Sequence, residues 1–442
     1  MTRFKMRWAI RGIAAAAVLS GAWGVPAFAE DLPVSLSDYP RIIRRDLPEV
    51  KPGQEMRLGA LRLHPSFQTA VEQDDNVRLS SSNKQDDVIF TQMPGMLGEV
   101  RMGDHRMTAG YWAEVINFAE QSEENAVNHI VNGDLRLNFN HLKVDITELM
   151  EKSTSRLFDE DSSRKEVLLN TAGVRARLER PRWVFEGGYK NNLTDYRNQS
   201  SVTNDRDEGI VSMLAGRKMA PKTTLFVEGA GGRVDYDSNV DNADHEYWQV
   251  MGGAVFKEFF QKMDAEGVLV REPQARMTAT FRACFQRRQL SDVSGRGSQK
   301  GYRGLVADAS FLYRPTVSDA ATVGYSRTIE VSTFGPNEWY RQDKVSLSWK
   351  KRLLRKFYAV PRFSWQRFSY PELHTVSGET ARREDDHLQF QGELRYEPRV
   401  NKVTGEAWAW VSLFYTFRNR ESNFDSLDFD NNKVGLKVGF VY

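Results

Sequence analysis

The last nine residues of the chain alternate strictly: Val434, Leu436, Val438, Phe440 and Tyr442 are separated by Gly435, Lys437, Gly439 and Val441. A period of two is that of an extended strand whose successive side chains point to opposite faces. A chain that stops on an aromatic at the end of such a strand looks like the terminal strand read by the outer-membrane barrel assembly machinery. That signal usually ends in Phe. Here Tyr442 replaces it, and Lys437 stands where Gly is usual. An ordinary amphipathic strand is the alternative reading of these residues alone.

The other end narrows the choice. Arg3, Lys5, Arg7 and Arg11 precede a short apolar run, Gly12 to Val25, and Ala27-Phe28-Ala29 forms an A-x-A cleavage signal. The run falls short of the roughly 20 residues a spanning helix needs, so residues 1–29 read as a cleaved signal peptide and not as an anchor. The expected mature chain begins at Glu30, with no Cys to carry a lipid. Lys and Arg number 61 against 59 Asp and Glu, and the leader's four basic residues account for the excess. The remainder is slightly acidic, unlike the basic footprint of a nucleic-acid binder. The one cysteine, Cys284, cannot form an internal disulfide.

No later segment offers 18 consecutive apolar residues, and mean hydropathy is −0.55. A transmembrane barrel is compatible with both facts, because only alternate residues meet lipid. Its strands need about 9 to 11 residues to cross. His387 to Glu397 fits, with Leu388, Phe390, Gly392, Leu394 and Tyr396 facing lipid. Ala407 to Arg418 and Arg106 to Asn117 read the same way, the latter with Met107, Ala109, Tyr111, Ala113 and Val115 outward.

Short connections at 103–105, 138–141, 180–182, 220–221, 315–318 and 353–355 alternate with long polar segments at 153–165, 196–208, 235–245, 291–301, 370–385 and 420–431. In this topology the short set is periplasmic and the long set extracellular. The pattern predicts an all-β, antiparallel transmembrane β-barrel of the bacterial outer membrane over 59–442. About 18 strands are expected, with 16 as the alternative. A β-sandwich also alternates, but its strands are shorter, around five or six residues. Two stretches fit less well. Glu258 to Ala275 lies where a short turn belongs, and reads either as a longer turn with a small helix or as distorted strand ends. Residues 30–58, with Pro33, Pro40, Pro48 and Pro52, read as an extended or disordered periplasmic arm, too short to be a plug domain.

Leu63-His64-Pro65-Ser66-Phe67 opens the first strand, Asp74-Asp75-Asn76-Val77 follows it, and Asp86-Asp87-Val88-Ile89 opens the second. Together with Pro221-Lys222-Thr223-Thr224, Tyr313-Arg314-Pro315 and Asp430-Asn431-Asn432, this order resembles the "putative beta-barrel porin 2" family. These are outer-membrane barrels often encoded with exopolysaccharide biosynthesis genes. The resemblance covers most of 59–442 and implies a barrel serving polysaccharide export, or a porin-like protein of other use. Its motifs mark strand starts and turns, not a reaction centre.

Alternation assigns a charged lumen. The candidate lining residues are Trp112, Glu114, Arg136, Arg175, Arg177, Glu186, Lys190, Arg282, Arg362, Glu393 and Arg395. Mixed charges and amides suit a hydrated anionic or neutral polymer, or small hydrophilic solutes; any polar lumen pairing its own charges would look alike. Trp112, Trp408 and Trp410 fall on the polar face, where an indole can stack on a sugar ring. An aromatic girdle at the rim is the other reading, favoured for Trp408. Seven histidines (64, 105, 129, 141, 245, 374 and 387) show no zinc spacing, and neither a G-x-S-x-G elbow nor a phosphate loop is present. No catalytic residue, metal or cofactor is expected. A barrel enzyme of lipase or protease type, with His129 or His245 near an extracellular strand end, remains a reading, as does a plugged structural surface protein. Acidic loop residues Asp159, Glu160, Asp161, Asp235, Asp237 and Asp241 read as solvated charge, or as holding Ca²⁺ or bridging lipopolysaccharide.

Overall fold

Lipid supplies no hydrogen-bond partner, so a strand that crosses it must give every backbone group to a neighbouring strand. The computed structural model meets this demand by closing one antiparallel sheet on itself. It describes residues 56–154, 164–197, 205–237, 244–263, 269–290, 301–316, 318–332, 337, 339–376, 378–400 and 407–441. The leader and most of the N-terminal arm expected from the sequence lie outside these residues.

Eighteen strands make the wall. They are β1 (Leu61–Asp74), β2 (Asp87–Met102), β3 (His105–Phe118), β4 (Ala126–Asn138), β5 (Leu142–Ser153) and β6 (Val167–Glu179). Next come β7 (Trp183–Tyr196), β8 (Arg206–Ala220), β9 (Thr223–Tyr236), β10 (His245–Met263), β11 (Leu269–Leu290) and β12 (Arg303–Tyr313). The last six are β13 (Ala320–Val331), β14 (Trp339–Leu354), β15 (Arg362–Val376), β16 (Glu379–Val400), β17 (Ala407–Ser422) and β18 (Phe429–Val441). Each pairs with its successor, and β18 pairs with β1 from Ser66–Val441 to Asp74–Lys433. That last ladder closes the ring and settles the count at 18 rather than 16. Met56–Leu58 folds back on β1 through Gly59, whose φ of +63° favours glycine. Phe357–Ala359 bridges β14 and β16 beneath β15.

The outer face carries the apolar half of each strand. Met213 and Leu305 are 70% and 65% exposed, which is costly in water and favourable in lipid. The short turns fall where the sequence places them, from Gly103-Asp104 to Pro315. The stretch 258–275 takes the second of its two readings. β10 and β11 run on as one prolonged hairpin to Met263–Leu269, with register shifts around Phe259; residues 264–268 lie outside the described set.

The two ends of the barrel are joined by the motifs that carried the family resemblance. Asp75 accepts hydrogen bonds from the backbone N–H of Asn432 at 2.6 Å and from its side-chain amide at 2.7 Å. The Asn76 amide donates to the carbonyls of Asp430 and Ser80, and its Oδ1 accepts from the Ser80 N–H. Asn431 donates to Asp74, and Lys433 Nζ reaches Asp74 and Glu72 at 2.8 and 2.9 Å. Residues 357 positions apart in the chain thus form one buried polar seam. Beside it, the Asp87 carboxylate accepts from the backbone N–H groups of Ala119, Glu120 and Gln121, fixing the β3–β4 loop.

At the opposite rim, Asp319 in the β12–β13 turn is nearly buried. Burial pushes its carboxyl up, but the Arg352 N–H at 2.8 Å and the Lys351 ammonium at 3.4 Å outweigh it, so its pKa lies below the ordinary carboxylate value. Two outcomes are expected. Asp75→Ala removes the hydrogen bonds its carboxylate accepts from Asn432 and Asn431 and lowers stability by about 2 kcal/mol, read by urea unfolding of the refolded barrel in detergent. Asp319 contributes stability that is present above the unfolded-chain value of about 3.9 and is lost as pH falls through its depressed folded value. Asp319→Asn flattens the acid limb of stability against pH; an unchanged limb refutes this.

Candidate functional site: the inner wall of the barrel

The side chains opposite the lipid-exposed residues face the interior. All eleven lining candidates stand on this face, because each sits across the ladder from another inward residue. Arg136, Asp145 and Arg175 lie side by side on β4, β5 and β6, and both guanidinium groups bind the one carboxylate, at 2.8 and 3.2 Å. Glu114 accepts from Asn128 at 2.7 Å. Arg177 pairs with Glu179 two residues along its own strand, at 2.8 Å, and Glu186 stands opposite it on β7. Lys190 is buried on the same strand. Arg282 meets Asp308 at 2.6 Å, with both side chains nearly buried. Arg362 donates to Gln391 at 3.4 Å, and Arg395 to Glu393 at 2.8 Å. The wall is therefore a mosaic of ion pairs, one shared carboxylate and charge–amide contacts.

Trp112 corrects an expectation. Its indole is inward but only 2% exposed, so it has no open face for a sugar ring. The ring lies flat across Gly95 and Gly110, where an added Cβ would fall 2.0 and 2.4 Å from indole carbons. Its Nε1 donates to Ser66 Oγ at 3.1 Å, and Met93, Leu97 and Ile130 pack around it. A side chain larger than hydrogen at either glycine would displace the ring. Trp410 is similarly seated on Gly439, with Arg395 over it at 5.9 Å; the side chain of Trp408 lies outside the described residues.

Two features of the wall were not singled out from the sequence. A second apolar cluster joins Leu214, Phe226, Met251, Val255, Cys284, Val306 and Ile329. It borders a recess that also touches Asn192, Gln249, Gln286, Arg282 and Arg288. Beside it, Tyr247 donates to Glu208 at 2.9 Å, Asn192 donates to the same carboxylate at 2.9 Å, and Arg288 lies over the Tyr247 ring. The second feature is an amide pair, Gln342 donating to Gln366 at 2.6 Å. Strand parity signals that these residues face inward except Ile329, which shares the parity of the exposed Val323 and Tyr325 and is nevertheless buried in the cluster; parity does not say which strands bring them together.

His129 and His245 do not share a site. His129 lies on the outer face, against the Tyr111 hydroxyl at 2.8 Å, whereas His245 is buried on the inner face. Among the described residues no three metal-ligating side chains converge; Asp159, Glu160, Asp161 and Asp241 lie outside them. At the extracellular rim, burial raises the Asp205 carboxyl above its ordinary value, and neighbouring Asp195 and Asp237 add to this against the Tyr196 N–H.

A closed wall of 18 strands, apolar outside and polar within, defines a porin-like barrel of the outer membrane. The family model described as "Putative beta-barrel porin 2" matches residues 53–257, the family that the sequence resembles. Solved structures similar to the chain include OpdL of Pseudomonas aeruginosa, 10% identical over 87% of this chain and 99% of that one, with a TM-score of 0.45. OprD of Pseudomonas aeruginosa is 10% identical over 86% and 95%, with a TM-score of 0.45. OccAB3 of Acinetobacter baumannii is 11% identical over 86% and 99%, with a TM-score of 0.45. No curated protein matches.

Because Trp112 is a packed core residue, Trp112→Ala is expected to cost about 3–5 kcal/mol, as other large-to-small core changes do. Denaturant unfolding followed by native Trp fluorescence measures it; a loss under about 1 kcal/mol would show the indole to be free of its packing.

Proposed function

We propose that the protein is a passive hydrophilic pore that assists export of an exopolysaccharide, and that it reaches the outer membrane through a leader cleaved after Ala29. The observation that carries this reading is the mosaic of the inner wall. Arg136 and Arg175 on Asp145, Arg362 on Gln391 and Gln342 on Gln366 present amides and partly compensated charges. A hydroxyl-rich or carboxylate-bearing polymer exchanges water for such groups at a net gain of about 1 kcal/mol per hydrogen bond. Contacts that weak let a chain enter and also leave. Barrels of about 16 or more strands generally enclose an aqueous channel. In this reading the outer face meets lipid and lipopolysaccharide, the barrel assembly machinery inserts the chain, and no cofactor or covalent step is involved.

Single-channel recording in planar bilayers tests it. The native protein should give a stable conductance that an acidic polysaccharide blocks from one side. Asp145→Asn leaves two arginines without their shared counter-charge, and should move the reversal potential towards anion selectivity. A correctly folded barrel that conducts nothing would overturn the proposal.

A further inference from the structure

The wall is not sealed by backbone everywhere. The ladder between β12 and β13 stops at Ala307–Arg327. Yet β12 stays paired with β11 up to Arg303, and β13 with β14 up to Val331. Above the last rung, Arg303–Val306 and Thr328–Val331 each have, among the described residues, a ladder on one flank alone, so the two strands part as a wedge. Open strand edges are tolerated at membrane depth only where protein covers them or where they line a cavity.

Both conditions are present. Tyr302 meets Trp339 edge-on at 5.1 Å, and both pack against the cluster containing Val306 and Ile329. The Tyr302 hydroxyl donates to the Leu305 carbonyl at 3.1 Å, a side chain standing where a strand would be. On the other flank Arg327, the Tyr325 hydroxyl and Arg341 converge on Asp343 at 2.6, 3.0 and 3.3 Å. Behind the wedge lies the recess of the inner wall. Both partners of the last rung, Ala307 and Arg327, line it, together with Met251, Cys284, Val306 and Ile329.

On its β12 flank the outer mouth has two levels, while on its β13 flank the Arg327–Asp343–Arg341 cluster has the parity of the outward face. Leu305 and Val250 are exposed and apolar, and Phe285 lies between them on β11. One step above, Arg287 and Arg303 are exposed, with Arg303 over the Phe285 ring at 5.8 Å. Apolar below and cationic above is the profile that a single acyl chain with an anionic head complements. A hydrophilic polymer has no use for an apolar floor opening towards lipid.

We propose that this wedge is a lateral portal through which a fatty-acid anion passes between the recess and the outer leaflet. The tail lies along Met251, Val306, Ile329 and Leu305. The planar carboxylate head is held by the guanidinium groups at the mouth, whose forked donors match it. Closure by side chains rather than by a ladder lets the passage open by rotamer changes, without breaking backbone pairing. This proposal does not depend on conduction through the main lumen.

The test is photolabelling of the full chain in lipid nanodiscs with a diazirine-bearing dodecanoic acid, mapped by mass spectrometry. Label should concentrate on 302–307 and 327–329, and unlabelled dodecanoate should displace it where succinate does not. Val306→Trp, which fills the inner end, should cut this labelling about tenfold, the effect of roughly 1.4 kcal/mol. Background labelling of the lipid-facing Val211 and Met213 should stay constant, which reports an intact barrel. Equal labelling of the wedge and of Val211–Met213, or wedge labelling that dodecanoate does not displace, overturns the portal. The competition is read on the native chain and stands whether or not the variant folds. A silent bilayer with displaceable wedge label would refute the pore and leave the portal.

Discussion

A membrane interior in which no solvent hydrogen bond is available is the constraint on which the rest of this structure depends. It requires a ring rather than a sheet, and a ring requires that the first and last strands meet. Every strand then has one face for lipid and one for the interior, and the period of two follows. Where the ladder falls short, between β12 and β13, the same constraint calls for substitutes. Tyr302 serves the Leu305 carbonyl, and Asp343 gathers two arginines and a tyrosine. Polar side chains thus take over work that elsewhere in the wall belongs to the backbone.

The interior is less uniform than the word lumen suggests. One sector pairs charge with charge, as at Arg136, Asp145 and Arg175. Others are small apolar cores, around Trp112 and around Met251 and Cys284. Paired charges are weakly felt by a passing ion, whereas an apolar core stiffens the wall behind them. The combination gives the barrel an inner surface that keeps its shape.

Much of the architecture was legible because it is local. Met107, Tyr111, Leu436 and Phe440 face lipid as their spacing says, and Gly103, Pro181, Pro221 and Pro315 mark turns. The inward placement of Arg282 or Glu393 follows from the same parity. What parity cannot give is register, which is set between strands. Trp112 reads as a sugar platform until Gly95 and Ser66, on the two preceding strands, are seen to cover and anchor it. The recess needs five or more strands in their true alignment before its residues meet. The prolonged β10–β11 hairpin was ambiguous because bulges near Phe259 break the alternation that marks a strand.

The seam between Asp74-Asp75-Asn76 and Asp430-Asn431-Asn432 also orders events in time. Its two halves lie 357 positions apart in the chain, so the polar groups of β1 stay unanswered until β18 reaches them. Contacts of such long sequence separation make folding slow, and an unpaired edge strand invites association meanwhile. The seam therefore acts as a completeness check. A truncated chain can form hairpins in order, yet it has nothing to offer Asp75 and remains an open sheet for quality control to recognise.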